Sequence, residues 1–521
     1  MNHLLTMAHA VATHARLHPH KLGARDSQRS LTFTQWHERA TRLANGLLSL
    51  GLAKGDRVAL LAYNCVEWME LYAALARAGL VAVPINFRLT TPEIAYIAGH
   101  SEARAFIVQD VLLDRVEPLR GELPDVLAQG WVTFGGASPA HWQSYEALIE
   151  RASALPCDTD VQPGDPCALM YTSGTTGRPK GALRSHEGNT LIALATALEM
   201  GFTRNDTALL VMPMCHANSL YFSHTFTHLG AACVVDDRKN FDPEALLATL
   251  SREKVTFTSL VPTHYIMMLG LPDALKAQYD VSAVEKLMIS LAPARKDTKL
   301  AILDHFRNGK LYELYGSTEA GWVTLLRPDE QIDKLGSVGR EWVGSGAIRL
   351  LDAEGNEVAD GEVGELYSRT PYVFDGYWKN PEKTAEAFCG AWCSVGDMAR
   401  READGYITLI DRKSTMIISG GENVYPSEVE SILGAHPQIK DVAVIGVPHD
   451  KWGEAVEAVV VLHAGQQASE REILDWCRPR MAGFKRPQAV RFFDDPQMPR
   501  TATGKILHRV LRERLVSPRE H

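Results

Sequence analysis

The chain has 521 residues, more than one hydrophobic core usually organises, so two or more domains are expected. Hydrophobic residues make up 45% and charged residues 22%, an ordinary balance for a globular protein. The formal net charge of −9 gives no support to a nucleic-acid partner, and no apolar run reaches the roughly 18 residues of a transmembrane helix.

The opening MNHLLTMAHAVATHARLHPH lacks the basic-then-apolar order of a secretion signal and suits a short amphipathic helix. From Leu31 helix and strand alternate. Phe33 to Leu50 has helical spacing and ends at Gly51, and Arg57 to Tyr63 is an apolar run of strand length. Val66 to Ala78 is helical and stops at Gly79, and Leu80 to Ile85 is apolar again. Uninterrupted apolar strands alternating with helices imply parallel sheet covered on both faces. The rhythm returns after Gly181, with helices at 188–200, 219–229 and 243–251 and strands at 207–212, 231–235 and 256–261. Between residues 335 and 411 short strands with Gly turns read as a small β region. Beyond Arg412 come the strands MIIS, DVAVIGV, EAVVVL and VRFF, with helices near Ser427–Leu433 and Glu472–Met481. The eight scattered cysteines form no CxxC pair, so reduced thiols in a cytoplasmic protein are expected. The expected fold class is α/β. A large N-terminal domain, residues 1–411, holds two parallel α/β layers plus a small β-barrel-like region. A small α/β C-terminal domain covers residues 412–521.

Five segments can carry chemistry. Tyr171-Thr-Ser-Gly-Thr-Thr-Gly-Arg-Pro-Lys180-Gly181 interleaves hydroxyls with glycines. It leaves a bare backbone whose N–H groups can converge on an anion, with a lysine within reach of the same charge. That is the chemistry of a phosphate cradle, the alternative being a flexible polar turn. It is not the GxxxxGK[ST] loop of nucleoside triphosphatases, because Pro179 precedes Lys180 and the spacing from Gly174 differs. In Leu314-Tyr315-Gly316-Ser317-Thr318-Glu319 a strand ends at a glycine and meets a hydroxyl and a carboxylate, hard-oxygen groups suited to Mg2+ and phosphate. Alone it reads equally as a strand-to-loop turn with a solvated Glu. Ser394-Val-Gly-Asp397 offers an acid able to accept both hydroxyls of a ribose, though a turn Asp is the commoner explanation. The fourth segment is DRKSTMIISGGENVYPSE, from Asp411 to Glu428, and the fifth is PRTATGK, from Pro499 to Lys505. A lysine after TxTG is, by itself, usually a surface lysine.

Together, in this order and spacing, the five segments resemble the adenylate-forming (ANL) superfamily of acyl-CoA synthetases, peptide-synthetase adenylation domains and luciferases. The resemblance runs over nearly the whole chain. MIISGGENVYPSEVE and GVPHDKWGEAVEAVVV look most like the C-terminal domain of bacterial fatty-acyl- and aryl-CoA ligases. It implies that the large domain carries the nucleotide and acyl sites and that the small domain is mobile on a hinge. Thr172, Ser173, Gly174, Thr175, Thr176, Gly177 and Lys180 would hold the β- and γ-phosphates of ATP. Tyr315 would stack on adenine, with the backbone of Glu313, Leu314 and Gly316 lining its edge. Thr318 would bond the α-phosphate and Glu319 would hold Mg2+. Asp397 would take the ribose hydroxyls, with Arg412 beside them, and Lys505 would bind the substrate carboxylate and an α-phosphate oxygen. Ser419, Gly420 and Gly421 would meet the pantetheine of coenzyme A.

His216 matches the family's histidine at the mouth of the acyl site, a satisfied core histidine being the alternative. Tyr221, Ala292 and Trp322 would line that pocket. Leu220, Phe222, Tyr265 and Met267 read either as its wall or as ordinary core. Two positions depart from the family pattern: the Gly-rich SGGAP stretch is Ser290-Leu-Ala-Pro293, and the hinge residue, usually Asp or Lys, is Ser414. The resemblance implies an ATP-dependent, AMP-forming acid–CoA ligase. No basic residue near His216 in the sequence suggests a second substrate carboxylate, so a monocarboxylate with a fatty, alicyclic or aromatic body is expected. An adenylation enzyme loading a separate carrier protein is the alternative, and the absence of an appended carrier domain argues for free CoA. No nucleic-acid partner and no transmembrane segment are expected, and a homodimer is compatible with the reading.

Overall fold

The computed structural model describes residues 6–516, apart from 158, 173–178, 291–293, 414, 420–421, 450–451 and 501–505. The opening residues do form an amphipathic helix, Met7–Leu17, which the Thr6 side chain caps and which buries Met7, Ala8, Ala10 and Val11. The next helix, Phe33–Ser49, begins at a reciprocal capping box between Thr32 and Gln35 and buries Phe33, Trp36, Leu43 and Leu47. Glu67–Ala78 ends where Gly79 turns left-handed (φ 67°), a conformation that costs glycine nothing.

By its packing the chain divides into two compact units: Met1–Ile348 with Ser368–Val395, and Arg349–Tyr367 with Gly396–His521. The first unit contains two large sheets. The eight-stranded sheet runs in the order Gly376–Tyr377, Lys180–Ser185, Pro166–Thr172, Val81–Ile85, Arg57–Leu61, Ala103–Gln109, Trp131–Phe134, Gln143–Ser144. In the nine-stranded sheet, strands from Leu22–Arg25 through Ala232–Val235, Thr207–Leu210, Phe257–Leu260 and Lys286–Ser290 to Lys310–Ser317 are parallel. Val81–Ile85 and Ala232–Val235 are buried at every position, as strands covered on both faces must be.

The expected parallel layers hold through most of each sheet but give way to antiparallel pairs at one edge of the eight-stranded sheet and at both edges of the nine-stranded one. Pro166–Thr172 pairs antiparallel with Lys180–Ser185, and Lys310–Ser317 pairs antiparallel with Gly321–Leu326. The cause is connection length. A parallel pair needs a crossover of about a dozen residues or more, whereas these strands are joined by short links that can only make hairpins. Both hairpins carry segments that the sequence singles out.

The second unit contains a four-stranded antiparallel sheet, Arg349–Leu351, Val363–Tyr367, Asp397–Arg401 and Ile407–Arg412, which is the small β region expected from the sequence. Its other sheet is built on the long hairpin Ile439–His449 and Gly453–Leu462, with the helices Pro426–Gly434 and Glu470–Cys477. Among the described residues, no helix is long and apolar enough to cross a membrane, and no group of three or more His, Cys, Asp or Glu side chains could hold a metal ion.

Candidate active site

The phosphate segment is the tip of the first hairpin. Thr172 pairs with Lys180 and Tyr171 with Gly181 across the two strands. Gly181 must lack a side chain, because a Cβ there would come within 2.9 Å of Leu169. Ser173, Gly174, Thr175, Thr176 and Gly177 lie outside the described residues. At the root of the tip, Thr172 Oγ1 donates to Glu319 Oε1 at 3.2 Å. Tyr377 Oη donates to the same oxygen at 2.8 Å, and Lys180 Nζ lies 4.0 Å from the centroid of the Tyr377 ring. The structure therefore brings Thr172, Lys180 and Glu319 together in one unit.

The second hairpin turns tightly just after Tyr315. A Cβ on Gly316 would meet the Gly321 carbonyl oxygen at 2.3 Å, and Gly321 itself is left-handed (φ 72°) against the Tyr372 ring. The turn between them is held from below by a residue outside the five segments. Arg184, fully buried, donates through Nη1 to the carbonyl oxygens of Thr318 (3.4 Å) and Glu319 (3.3 Å), and its guanidinium lies over the Tyr221 ring. Tyr221 Oη also donates to the Thr318 carbonyl at 3.2 Å, and the Phe374 amide donates to that of Glu319 at 2.7 Å. The Thr318–Glu319 backbone is thus preorganised by donors from three separate elements. Glu313 forms an ion pair with Lys299 at 2.6 Å with both side chains almost wholly buried, so only its backbone remains to face a ligand. Burial pushes the Glu313 carboxyl upward, opposed by the Lys299 charge.

Of the expected acyl-pocket residues, Tyr221 and Trp322 are buried and meet edge to face at 5.1 Å, with Trp322 Nε1 donating to Thr196 at 2.9 Å. Ala292 lies outside the described residues, but the strand leading to it ends in a buried polar cluster. Asn218 Nδ2 donates to Ser259 Oγ (3.1 Å) and Ser290 Oγ (3.2 Å). Tyr265 is fully buried with its hydroxyl on the Met288 carbonyl, whereas Met267 is 45% exposed.

His216 stands at the N-terminal end of the helix Ala217–Leu229, and its Nε2 is buried with no hydrogen-bond partner among the described residues. The Nδ1 of His264 is likewise buried without a partner among the described residues, and its ring stacks on Phe241 at 3.9 Å. After burial, the Arg88 charge is the other influence that lowers both imidazoles.

Burial pushes His186, His216 and His264 down to about 4 and His224 to about 3. These groups stay neutral in the fold but take up a proton near the ordinary 6.5 once unfolded. The unfolded state therefore binds more protons between pH 6.5 and 4, so their contribution is complete above pH 6.5 and is lost as the pH falls through that window. Thermal melts across this range should show a falling Tm, with a shallower slope in His224→Gln.

In the second unit Asp397 and Arg412 face one another across paired strands, with Arg412 Nε 2.9 Å from Asp397 Oδ1. Asp411 accepts from the Arg412 amide and Thr415 Oγ1, both at 2.6 Å, and from the Ser427 amide at 3.0 Å. Ser419 is buried and pairs with Gly453, while Gly420, Gly421 and Ser414 lie outside the described residues. So does Lys505, but Arg500 and Ile506 form an antiparallel bridge around its segment, and Arg500 is anchored to Asp441 at 2.5 Å and Asp495 at 3.3 Å.

Residues 11–378 match the AMP-binding enzyme family, and residues 428–505 match the AMP-binding enzyme C-terminal domain. The chain belongs to the AMP-binding enzyme family. It is 37% identical over 501 residues to a feruloyl-CoA synthase of an Amycolatopsis species, covering 96% of this chain and 97% of that one. It is 35% identical over 495 residues to an indoleacetate–CoA ligase of Aromatoleum aromaticum, covering 95% of each. The solved structure of an anthranilate CoA ligase in complex with anthranoyl-AMP is similar at a TM-score of 0.86 and 29% identity, over 98% of this chain and 97% of that one. As an AMP-binding enzyme, this chain is an ATP-dependent, AMP-forming carboxylic acid–CoA ligase that works through an acyl-adenylate.

Proposed function

We propose that this AMP-binding enzyme joins an aromatic monocarboxylic acid to coenzyme A in two half-reactions that draw on different residues. The observation that carries the reading is the cluster at the root of the first hairpin, where a buried carboxylate, Glu319, meets the phosphate segment through Thr172 and shares Tyr377 with Lys180.

In the first half-reaction the substrate carboxylate attacks the α-phosphorus of ATP and pyrophosphate leaves. Thr172 to Lys180 hold the β- and γ-phosphates, Tyr315 stacks on adenine, and Asp397 with Arg412 takes the ribose. The Thr318 hydroxyl bonds the α-phosphate from a backbone that Arg184 and Tyr221 keep still. Glu319 fits Mg2+: it is an acidic oxygen donor, 6% exposed, and it forms no ion pair with a described residue. Bound Mg2+ would neutralise phosphate charge as the carboxylate approaches. Lys505 supplies an ammonium between the two anions and stabilises the charge that grows on the α-phosphate.

In the second half-reaction the thiol of coenzyme A attacks the acyl carbon, the acyl–phosphate bond breaks and AMP leaves. The loop Ser419, Gly420 and Gly421 lies along the pantetheine, where absent side chains permit close approach. We place the boundary between the large N-terminal domain and the small C-terminal domain at 411/412, with Ser414 as the pivot.

The aromatic body is supported by flat surfaces. Tyr221 and Trp322 form an edge-to-face wall, and the neutral imidazole of His216 offers an unused nitrogen to a polar ring substituent. The related proteins act on feruloyl, indoleacetate and anthranilate groups by name. A panel of acids assayed for AMP release with coenzyme A should give the highest kcat/KM for planar aromatic monocarboxylates. Better turnover of a long-chain fatty acid or a short dicarboxylate would overturn that choice, and dependence on a carrier protein in place of coenzyme A would overturn the acceptor.

Glu319→Gln keeps the shape of the side chain and removes its charge. It should raise the Mg2+ concentration for half-maximal activity by roughly 10–100-fold while the thermal melt stays near that of the parent. An unchanged magnesium titration would remove Glu319 from the metal site.

A further inference from the structure

We propose that Tyr377, whose hydroxyl sits on Glu319 Oε1 and whose ring face carries the Lys180 ammonium, is a positioning residue that selects the Glu319 oxygen offered to the metal. The proposal rests on the reading of Glu319 as the magnesium-binding carboxylate and adds a residue that lies outside all five chemical segments.

A carboxylate free to turn can offer either oxygen, or both, to a cation. Among the described residues, both hydrogen bonds to the Glu319 side chain end on one atom, Oε1: Tyr377 Oη donates at 2.8 Å and Thr172 Oγ1 at 3.2 Å. Two neutral donors on Oε1 fix the plane of the group and leave the lone pairs of Oε2 for a cation. The opposite side of the same tyrosine does a second job. Lys180 Nζ lies 4.0 Å from its ring centroid, within range of a cation–π attraction. Direct closure of Lys180 on Glu319 would neutralise both charges and withdraw the carboxylate from the metal. The ring stands between those two outcomes, since its face takes the ammonium and its hydroxyl takes the carboxylate.

Tyr377 is itself held firmly enough to act this way. It pairs with Ala182 on the outer edge of the phosphate hairpin, its amide donates to Thr384 Oγ1 at 2.9 Å, and its ring packs against Phe374 at 4.8 Å. The residue before it, Gly376, has φ 135°, and a Cβ there would come within 2.9 Å of Thr384. The strand that carries Tyr377 is therefore seated by contacts that do not involve Glu319.

The test measures Mn2+ binding in the presence of ATP by electron paramagnetic resonance on the full chain, with ATP binding in excess chelator as a separate titration. Tyr377→Phe keeps the ring and removes the hydroxyl. Its Mn2+ affinity should fall roughly tenfold, as expected for loss of an outer partner of a metal ligand, while metal-free ATP binding is unchanged. Glu319→Gln combined with Tyr377→Phe should bind Mn2+ no more weakly than Glu319→Gln alone. Tyr377→Leu, which also removes the ring, should further weaken metal-free ATP binding through Lys180. Parent-like Mn2+ affinity in Tyr377→Phe, or a full additional loss in the double variant, would overturn the role of Tyr377 while leaving Glu319 in place. Parent-like affinity in Glu319→Gln would overturn the reading of Glu319 and the proposal with it.

Discussion

Lys505→Ala should lose about 10²–10³ in the rate of acyl-adenylate formation, the usual effect of removing one preorganised donor from a developing charge. The first half-reaction brings a carboxylate against a polyanionic phosphorus, so the barrier is largely electrostatic. A neutral methyl offers nothing to offset it. The second half-reaction has no such encounter, because a thiol attacks a neutral acyl carbon. Synthetic acyl-AMP with coenzyme A should therefore still be converted by the variant at close to the parent rate. On either side of 501–505, Arg500 and Ile506 form an antiparallel bridge, and Arg500 forms ion pairs with Asp441 and Asp495. Truncating one side chain between them leaves that frame intact, so a change in rate reports on the ammonium. Pyrophosphate exchange measures the first step, and thioester formation from supplied acyl-AMP measures the second. Equal losses in both would remove Lys505 from adenylation.

The local parts of the fold were legible in the sequence because their causes are local. The helical spacing from Phe33, the helix stop at Gly79 and the continuous apolar run through Val81–Ile85 each act within a few residues. The antiparallel edges were not read from alternation of helix and strand, since that pattern is blind to the direction of a short link. In the site, Thr172, Lys180, Thr318 and Glu319 were visible as motif residues, but what holds them was not. Arg184 lies 134 positions from Thr318 and Tyr377 lies 58 from Glu319. An arginine in an apolar strand was the one available signal for the former: a fully buried guanidinium must find acceptors, and here it finds the carbonyls of Thr318 and Glu319. The Asn218–Ser259–Ser290 cluster had no signal at all, because each member is an ordinary polar residue at a strand or helix end.

Gly421→Leu should block thioester formation by roughly 10²-fold or more and leave adenylation nearly intact, because a misplacement of about 1 Å at a reacting group already costs that much. The motivating observation is the Gly420–Gly421 pair, which follows directly on the buried Ser419 in a segment otherwise rich in β-branched side chains. Glycine loses the most conformational freedom on ordering, and a narrow ligand passing close to the backbone is a physical reason to keep two of them. An isobutyl group would fill the space that the pantetheine needs, while the first half-reaction, which uses no thiol, would not meet it. Ser414→Pro tests the same division from the backbone. Proline locks φ near −65° and removes an N–H, so a pivot at 414 would be held in one setting and one half-reaction should fail while the other survives. Asp411 accepts from the Arg412 amide, Thr415 and the Ser427 amide, so the neighbouring structure should tolerate the change and the melt should move little. Both variants are assayed for pyrophosphate exchange and for acyl transfer from supplied acyl-AMP. Lost adenylation in Gly421→Leu with acyl transfer preserved would assign this loop to the first half-reaction, the reverse of the role given to it.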